Sequence, residues 1–219
     1  MFIADVGMDQ KQQVLQTQQE WSVAKMENAK AEADTNEATA QLTAVKNEQK
    51  GTRLAIDTAL SNKKQAESSA DNNRINLAAK ELHTAEALAK AADLRVKYYE
   101  AYRNWLKRHW LYTQENMYWQ EAKFELAKSQ LAQKSNISPK GVSFEWFPKQ
   151  ESERNKRTGS AKAKADAERQ RAMTVRDAWL KQQDSADKES GRPNTHPDPM
   201  APKAASTTTT TTTTPPAPQ

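Results

Sequence analysis

The sequence predicts an all-α protein: an elongated antiparallel helical hairpin of coiled-coil type, a basic C-terminal helix and a disordered Thr/Pro-rich tail. Three observations carry this. The chain of 219 residues is 36% hydrophobic and 28% charged, with a mean hydropathy of -1.00, which is poor material for a globular core. From Met8 to Ser138 there is no proline and a single glycine, Gly51, in a run rich in the strong helix formers Ala, Lys, Glu and Gln. Apolar and small residues recur at seven-residue spacing through that run, the signature of helices that bury one stripe.

Residues 1–8, "MFIADVGM", form an N-terminal extension; the apolar run is too short, and lacks the basic n-region, of a signal peptide. The hairpin occupies residues 9–134. In its first arm Val14, Trp21, Asn28, Thr35, Leu42, Gln49 and Ile56 alternate with Thr17, Ala24, Ala31, Ala38, Val45, Thr52 and Ala59. Such a seam buries little area at about 25 cal/mol per Å², so it requires a partner with large side chains. The second arm has them, at Leu77, Ala91, Tyr98, Trp105, Tyr112, Trp119 and Leu126, with a parallel stripe from Leu82 to Leu131. Between the arms, "SSADNNR" (68–74) is the densest cluster of turn-forming residues. Folding near Asp71 sets small side chains against large ones. Two alternatives stand: a break at Gly51, with Thr52 capping the next helix, and an unbroken rod that pairs only between chains.

Residues 135–148 are expected to be a loop, with Pro139 and Gly141 ending the helix and Val142, Phe144, Trp146 and Phe147 forming a short extended apolar clamp. Residues 149–188 form the basic helix, with Gly159 as a break point. The tail, 189–219, holds eight consecutive threonines and almost nothing apolar, so it cannot offset its ordering entropy.

The stretch "YYEAYRNWLKRHWLYTQENMYW" (98–119) concentrates eight of the chain's 15 aromatic rings. At about 100° per residue, Tyr98, Tyr99, Tyr102, Trp105, Trp110, Tyr112 and Trp119 share one half of the helix and Tyr118 lies outside it. That half is wider than a two-helix seam, so the second arm needs two neighbours. One is the first arm. The other is the clamp, the helix around Trp179, or a second protomer. With Phe144, Trp146 and Phe147, these rings form a packing and protein-interaction belt. A membrane-surface belt or a nucleic-acid stacking face fits less well, because Glu100, Glu115, Glu121 and Glu125 interleave with the rings.

Nothing in the sequence assembles chemistry. The absence of cysteine excludes disulfides and thiolate metal sites, and no H-E-x-x-H, P-loop, G-x-G-x-x-G or G-x-S-x-G pattern occurs. His83 reads as a surface pair with Glu86, His109 as bonded to a tyrosine hydroxyl or its own turn, and His196 as a tail residue without a role. No catalytic, cofactor-binding or metal-binding residue is expected, and the chain is expected not to be an enzyme.

Charge is uneven: residues 1–50 hold five basic and eight acidic side chains, residues 135–219 hold 14 and 10, within a net +5. "RNKRTGSAKAK" contributes five cations without an acid, Arg154, Lys156, Arg157, Lys162 and Lys164, which are candidates for anion contact. The expected function is a non-enzymatic scaffold or spacer that binds a protein partner or itself. The alternative is a basic helical protein that binds anionic surfaces or nucleic acid through residues 154–176, adding Arg169, Arg171 and Arg176. Of its ligands, an anionic polymer or membrane surface fits better than nucleic acid, since Glu151, Glu153, Asp166 and Glu168 blunt the field. No apolar run nears the roughly 20 residues of a transmembrane helix. The Ala/Gln/Lys helices, missing cysteines and Thr/Pro run are similar in composition to bacterial envelope proteins with long periplasmic helices, which points to the cell envelope.

Overall fold

The computed structural model describes residues 3, 6–137 and 140–201. The expectations placed on Pro139 and on residues 202–219 lie outside them. A short 3₁₀ turn, Met8–Lys11, leads into three long helices: α1 (Gln12–Ser68), α2 (Asn72–Lys134) and α3 (Trp146–Ser190). Among the described residues there is no strand. At 1.5 Å per residue the 57 residues of α1 span about 85 Å.

Gly51 and Gly159 both lie inside unbroken helices, which removes the break at each. A glycine mid-helix costs entropy but does not stop a helix whose neighbours are strong formers. A Cβ placed at either would meet nothing within 4 Å. Gly51→Ala and Gly159→Ala should therefore each raise stability by about 0.5–1 kcal/mol in denaturant unfolding. A loss on either substitution would mean that the position is constrained by something other than its own helix.

The connection after α1 is three residues long. Ser69 donates its amide to the Ala66 carbonyl at 3.0 Å, and Ala70 takes the left-handed conformation, φ 52°, that usually falls to glycine at a helix end. Asp71 then starts α2 by accepting the amides of Asn73 at 2.9 Å and Arg74 at 3.4 Å, so two otherwise orphaned donors are satisfied.

Cross-helix bonds run in opposite chain order. Glu20 meets Lys123 (2.7 Å), Asn28 meets Thr113 (3.2 Å), Lys46 meets Glu100 (2.8 Å) and Gln49 meets Asp93 (2.6 Å), so α1 and α2 lie antiparallel. The buried residues of α1 are small: Thr17, Ala24, Ala31, Thr35, Ala38 and Ala59, among few larger ones such as Val14, Leu42 and Val45. Against them α2 buries Val96, Tyr99, Leu106, Phe124 and Leu131 in the half away from the turn, while nearer the turn it too buries alanines, Ala78, Ala87, Ala89, Ala91 and Ala92. Large against small closes the gap between the two rods.

α3 runs antiparallel along another flank of α2, from Glu151 beside Trp119 to Glu189 beside His83. Of its buried side chains, Thr158, Ala165, Ala172, Trp179 and Ala186 recur every seven residues, a seam almost entirely too small to register as hydrophobic in the sequence, and Gln183 is buried beside it. α1 and α3 both pack on α2 and hardly on each other. α2 is the middle rod.

Two expectations change at the ends of α3. The clamp is not extended throughout: α3 begins at Trp146, so Trp146 and Phe147 lie in its first turn. Pro148 is tolerated there because first-turn amides have no helical acceptor to lose. The segment after α3 is not floppy over residues 192–201. Gly191, φ 68°, reverses the chain out of the helix, and Tyr98 and Tyr99 bond the backstrap that follows.

Candidate functional site

The belt residues divide into three environments. Tyr98 and Tyr99 are core: 0% and 2% exposed, they sit with Leu42, Val45, Val96 and Trp179. The Trp179 ring stacks on Tyr98 with centroids 5.4 Å apart and planes at 14°. Neither tyrosine is available to a partner.

Beyond Tyr98, α3 presents Ala172 and Ala165 where Trp179 had been, and the rings of α2 are left half-buried. They form a ladder, Tyr102 to Trp105 (5.7 Å), Trp105 to His109 (6.2 Å) and His109 to Tyr112 (5.9 Å). The ladder is the floor of a groove between α1 and α3. Its upper part is a cleft of about 460 Å³ lined by Lys30, Asp34, Glu37 and Gln41 of α1, Tyr102 and Trp105 of α2, Arg169 of α3, and Pro199 and Met200 from the segment that follows α3. Arg169 holds its guanidinium 5.9 Å from the centre of the Trp105 ring.

The remaining belt residues lie elsewhere. Trp119 turns toward α3 and donates Nε1–H to Glu151 at 2.6 Å. Trp110 is half-buried, with its Nε1 shielded and without an acceptor among the described residues. Phe144 packs on the cluster of Ile3, Val14, Phe124 and Leu131. Phe147 is half-buried at a cleft it shares with Tyr118 and Arg154, while Trp146 is 53% exposed.

The upper end of the groove is crossed by the strap, which sequence reasoning missed. Tyr98 donates its hydroxyl to Asp198 at 2.6 Å, Tyr99 donates to the Pro197 carbonyl at 2.8 Å, and Arg176 closes on Asp198 at 2.6 Å. Met200 joins the same apolar cluster. The signal was "HPDPM": prolines on both sides of an acid restrict its backbone in advance, followed by one apolar residue. Averaged into a Thr/Pro tail, it disappeared.

Burial pushes the hydroxyl pKa of Tyr98, Tyr99 and Tyr102 above the ordinary 10.0, and at Tyr98 the Asp198 carboxylate adds to it. A folded value above the unfolded one means stability that is fully present below pH 10 and lost as pH rises from there. Denaturation free energy should thus fall progressively as pH rises above about 10. Tyr98→Phe should flatten that slope, and an unchanged slope would place the alkaline transition elsewhere.

The histidines also differ from expectation. His83 approaches Glu189 of α3 at 3.2 Å rather than Glu86. His109 makes no hydrogen bond to a tyrosine; it is held by the flanking rings, and burial lowers its pKa against the opposing pull of Asp34, Glu27 and Asp166. His196 is half-buried, with Nδ1 3.9 Å from Glu48, and burial and then Arg95 lower its pKa.

Of the five anion-contact candidates, three are engaged by carboxylates: Arg154 by Glu115 (3.6 Å), Arg157 by Glu153, and Lys162 by Asp166 (2.8 Å). Lys156 and Lys164 have no carboxylate partner among the described residues. Arg171 pairs with Glu168. Among the described residues no group of three or more His, Cys, Asp or Glu gathers to hold a metal, and no helix is long and apolar enough to cross a membrane. Comparison of the chain with protein-family models, with curated proteins and with solved structures found no match.

Proposed function

We propose that the chain is a non-enzymatic helical scaffold or spacer, a coiled-coil-like hairpin braced by α3, acting through protein–protein contact in the groove over α2. A bacterial cell envelope is the compartment its composition suggests. One observation carries the reading. After α2 has packed against both α1 and α3, Tyr102, Trp105, His109 and Tyr112 still form an unbroken half-buried ladder between two charged lips. Aromatic rings in a groove rimmed by charge are the usual composition of a protein-contact centre.

The test is a photo-crosslinking residue in place of His109, compared with one in place of Leu111, which is 41% exposed and lines a cleft on another face of α2. Capture of a protein from position 109 and not from 111, retained at high salt and lost on Trp105→Ala with Tyr112→Ala, is the expected result. Equal capture from both positions, or none from either, removes the reading.

A second reading has its own observation. Arg108 of α2 and Arg157 and Lys164 of α3 line that other cleft, about 310 Å³ in volume, against one acid in its wall, Glu115, and with Arg157 also paired to Glu153. Three cations from two helices suit an anionic surface or polymer. Such binding would weaken steeply with salt and disappear on charge removal at these three positions; salt-independent binding excludes it.

A further inference from the structure

The two lips of the aromatic groove differ in sign. From α1, Asp34 and Glu37 line the cleft over Tyr102 and Trp105, with Lys30 beside them, and Glu27 lies further toward the start of α1, where its charge still acts on His109. From α3 the seven-spaced Lys162 and Arg169 face the floor, with Asp166 between them; Lys162 shares its charge with Asp166 at 2.8 Å. The α1 lip is acidic on balance and the α3 lip basic. They stand level with one another, since Asp34, Glu37 and Arg169 line one cleft, and Asp34 and Asp166 both act on His109. The other charges along this face are already used inside the chain: Glu20 by Lys123, Glu48 by Arg95, Arg176 by Asp198.

We infer that the groove receives a second copy of this chain, the copies related by a twofold axis parallel to the helices. That operation turns one slab of three rods face down on the other. It sets the α1 lip of each copy over the α3 lip of its partner at the same height, acid over base on both sides. The two ladders meet along the axis. A twofold axis running across the rods would set α1 over α1, acid on acid, and is disfavoured by like-charge repulsion.

The inference rests on the scaffold reading and names its partner. Sedimentation equilibrium of the full chain over about 1–100 μM should show a dimer. Asp34→Lys with Glu37→Lys, and separately Lys162→Glu with Arg169→Glu, should each weaken it at least about tenfold while circular dichroism stays helical. Mixing the two variants should restore a one-to-one dimer, and so should all four substitutions in one chain. A monomeric parent chain, lip reversals without effect, or a mixture that stays monomeric would each overturn the inference. If the chain is monomeric and position 109 still captures a different protein, the second copy falls and the scaffold reading stands. If nothing is captured as well, both fall.

Discussion

Trp179→Ala lowers the stability of the protein by about 3–5 kcal/mol, the range for removing a large buried ring that its surroundings cannot fill. Trp179 is 0% exposed and stacks on Tyr98 within the cluster that joins all three helices through Leu42, Val45, Val96 and Tyr99. It is also the one large side chain in the α3 seam; the other members are Thr158, Ala165, Ala172 and Ala186. Alanines cannot move into the space, because the rods are held apart by their own backbones. The hole stays open. Urea unfolding followed by circular dichroism measures the loss. Trp179→Phe should cost markedly less, since it keeps most of the ring area and removes an indole N–H that is buried without an acceptor. If the alanine variant lies within about 1 kcal/mol of the parent, α3 is held by its ion pairs and not by this ring.

The second large effect is expected at Asp198. Its carboxylate, with the side chain 13% exposed, accepts from the Tyr98 hydroxyl, from Arg176 and from the Met200 amide at 3.1 Å. Asp198→Ala leaves a shielded hydroxyl and a guanidinium that is 22% exposed without their acceptor. Breaking a fully buried pair costs about 3–5 kcal/mol; with Arg176 partly in water, about 2–3 kcal/mol is the appropriate figure. The strap limits the loss further, because residues 192–201 can lift away locally before α1, α2 and α3 separate. Hydrogen exchange therefore discriminates: amides near Met200 should lose protection far more than those of α2. Protection lost equally throughout would mean that the strap is part of the global fold. Asp198→Asn, which keeps one acceptor, should fall between the parent and the alanine variant.

Much of the architecture follows from composition and spacing. A run without proline, with one glycine and with many Ala, Glu, Lys and Gln residues has few conformations other than long helix, and the described chain is all-helical with three long rods. Each rod can bury only the stripe its seven-residue repeat supplies, so the small seam of Ala24, Ala31 and Ala38 is visible from the sequence and is buried in the structure. Asp71 starts α2 by a purely local bond to amides two and three residues on, which is also why a residue type alone can announce it.

The aromatic stretch was legible as a concentration of rings but not as a division of labour. Tyr98 and Trp105 occupy equivalent places seven residues apart on one helix, and no local property separates them. Tyr98 is core because Trp179 and the strap lie over it; Trp105 is half-open because the buried seam of α3 offers only alanine there, with Arg169 reaching in from the groove's edge. Burial at a given position is a property of what arrives from other parts of the chain, here from 80 to 100 residues away, and periodicity carries no record of it. The same holds for charge. Arg154, Arg157 and Lys162 form an unopposed basic run in sequence, yet each meets a carboxylate one helical turn away or on α2, so the field is set by pairing across and along the helices. Sequence alone determined that this chain is rods with narrow stripes, because helix propensity and spacing are local. Tertiary structure alone decided which rings and charges remain free, because exposure depends on the neighbouring rod.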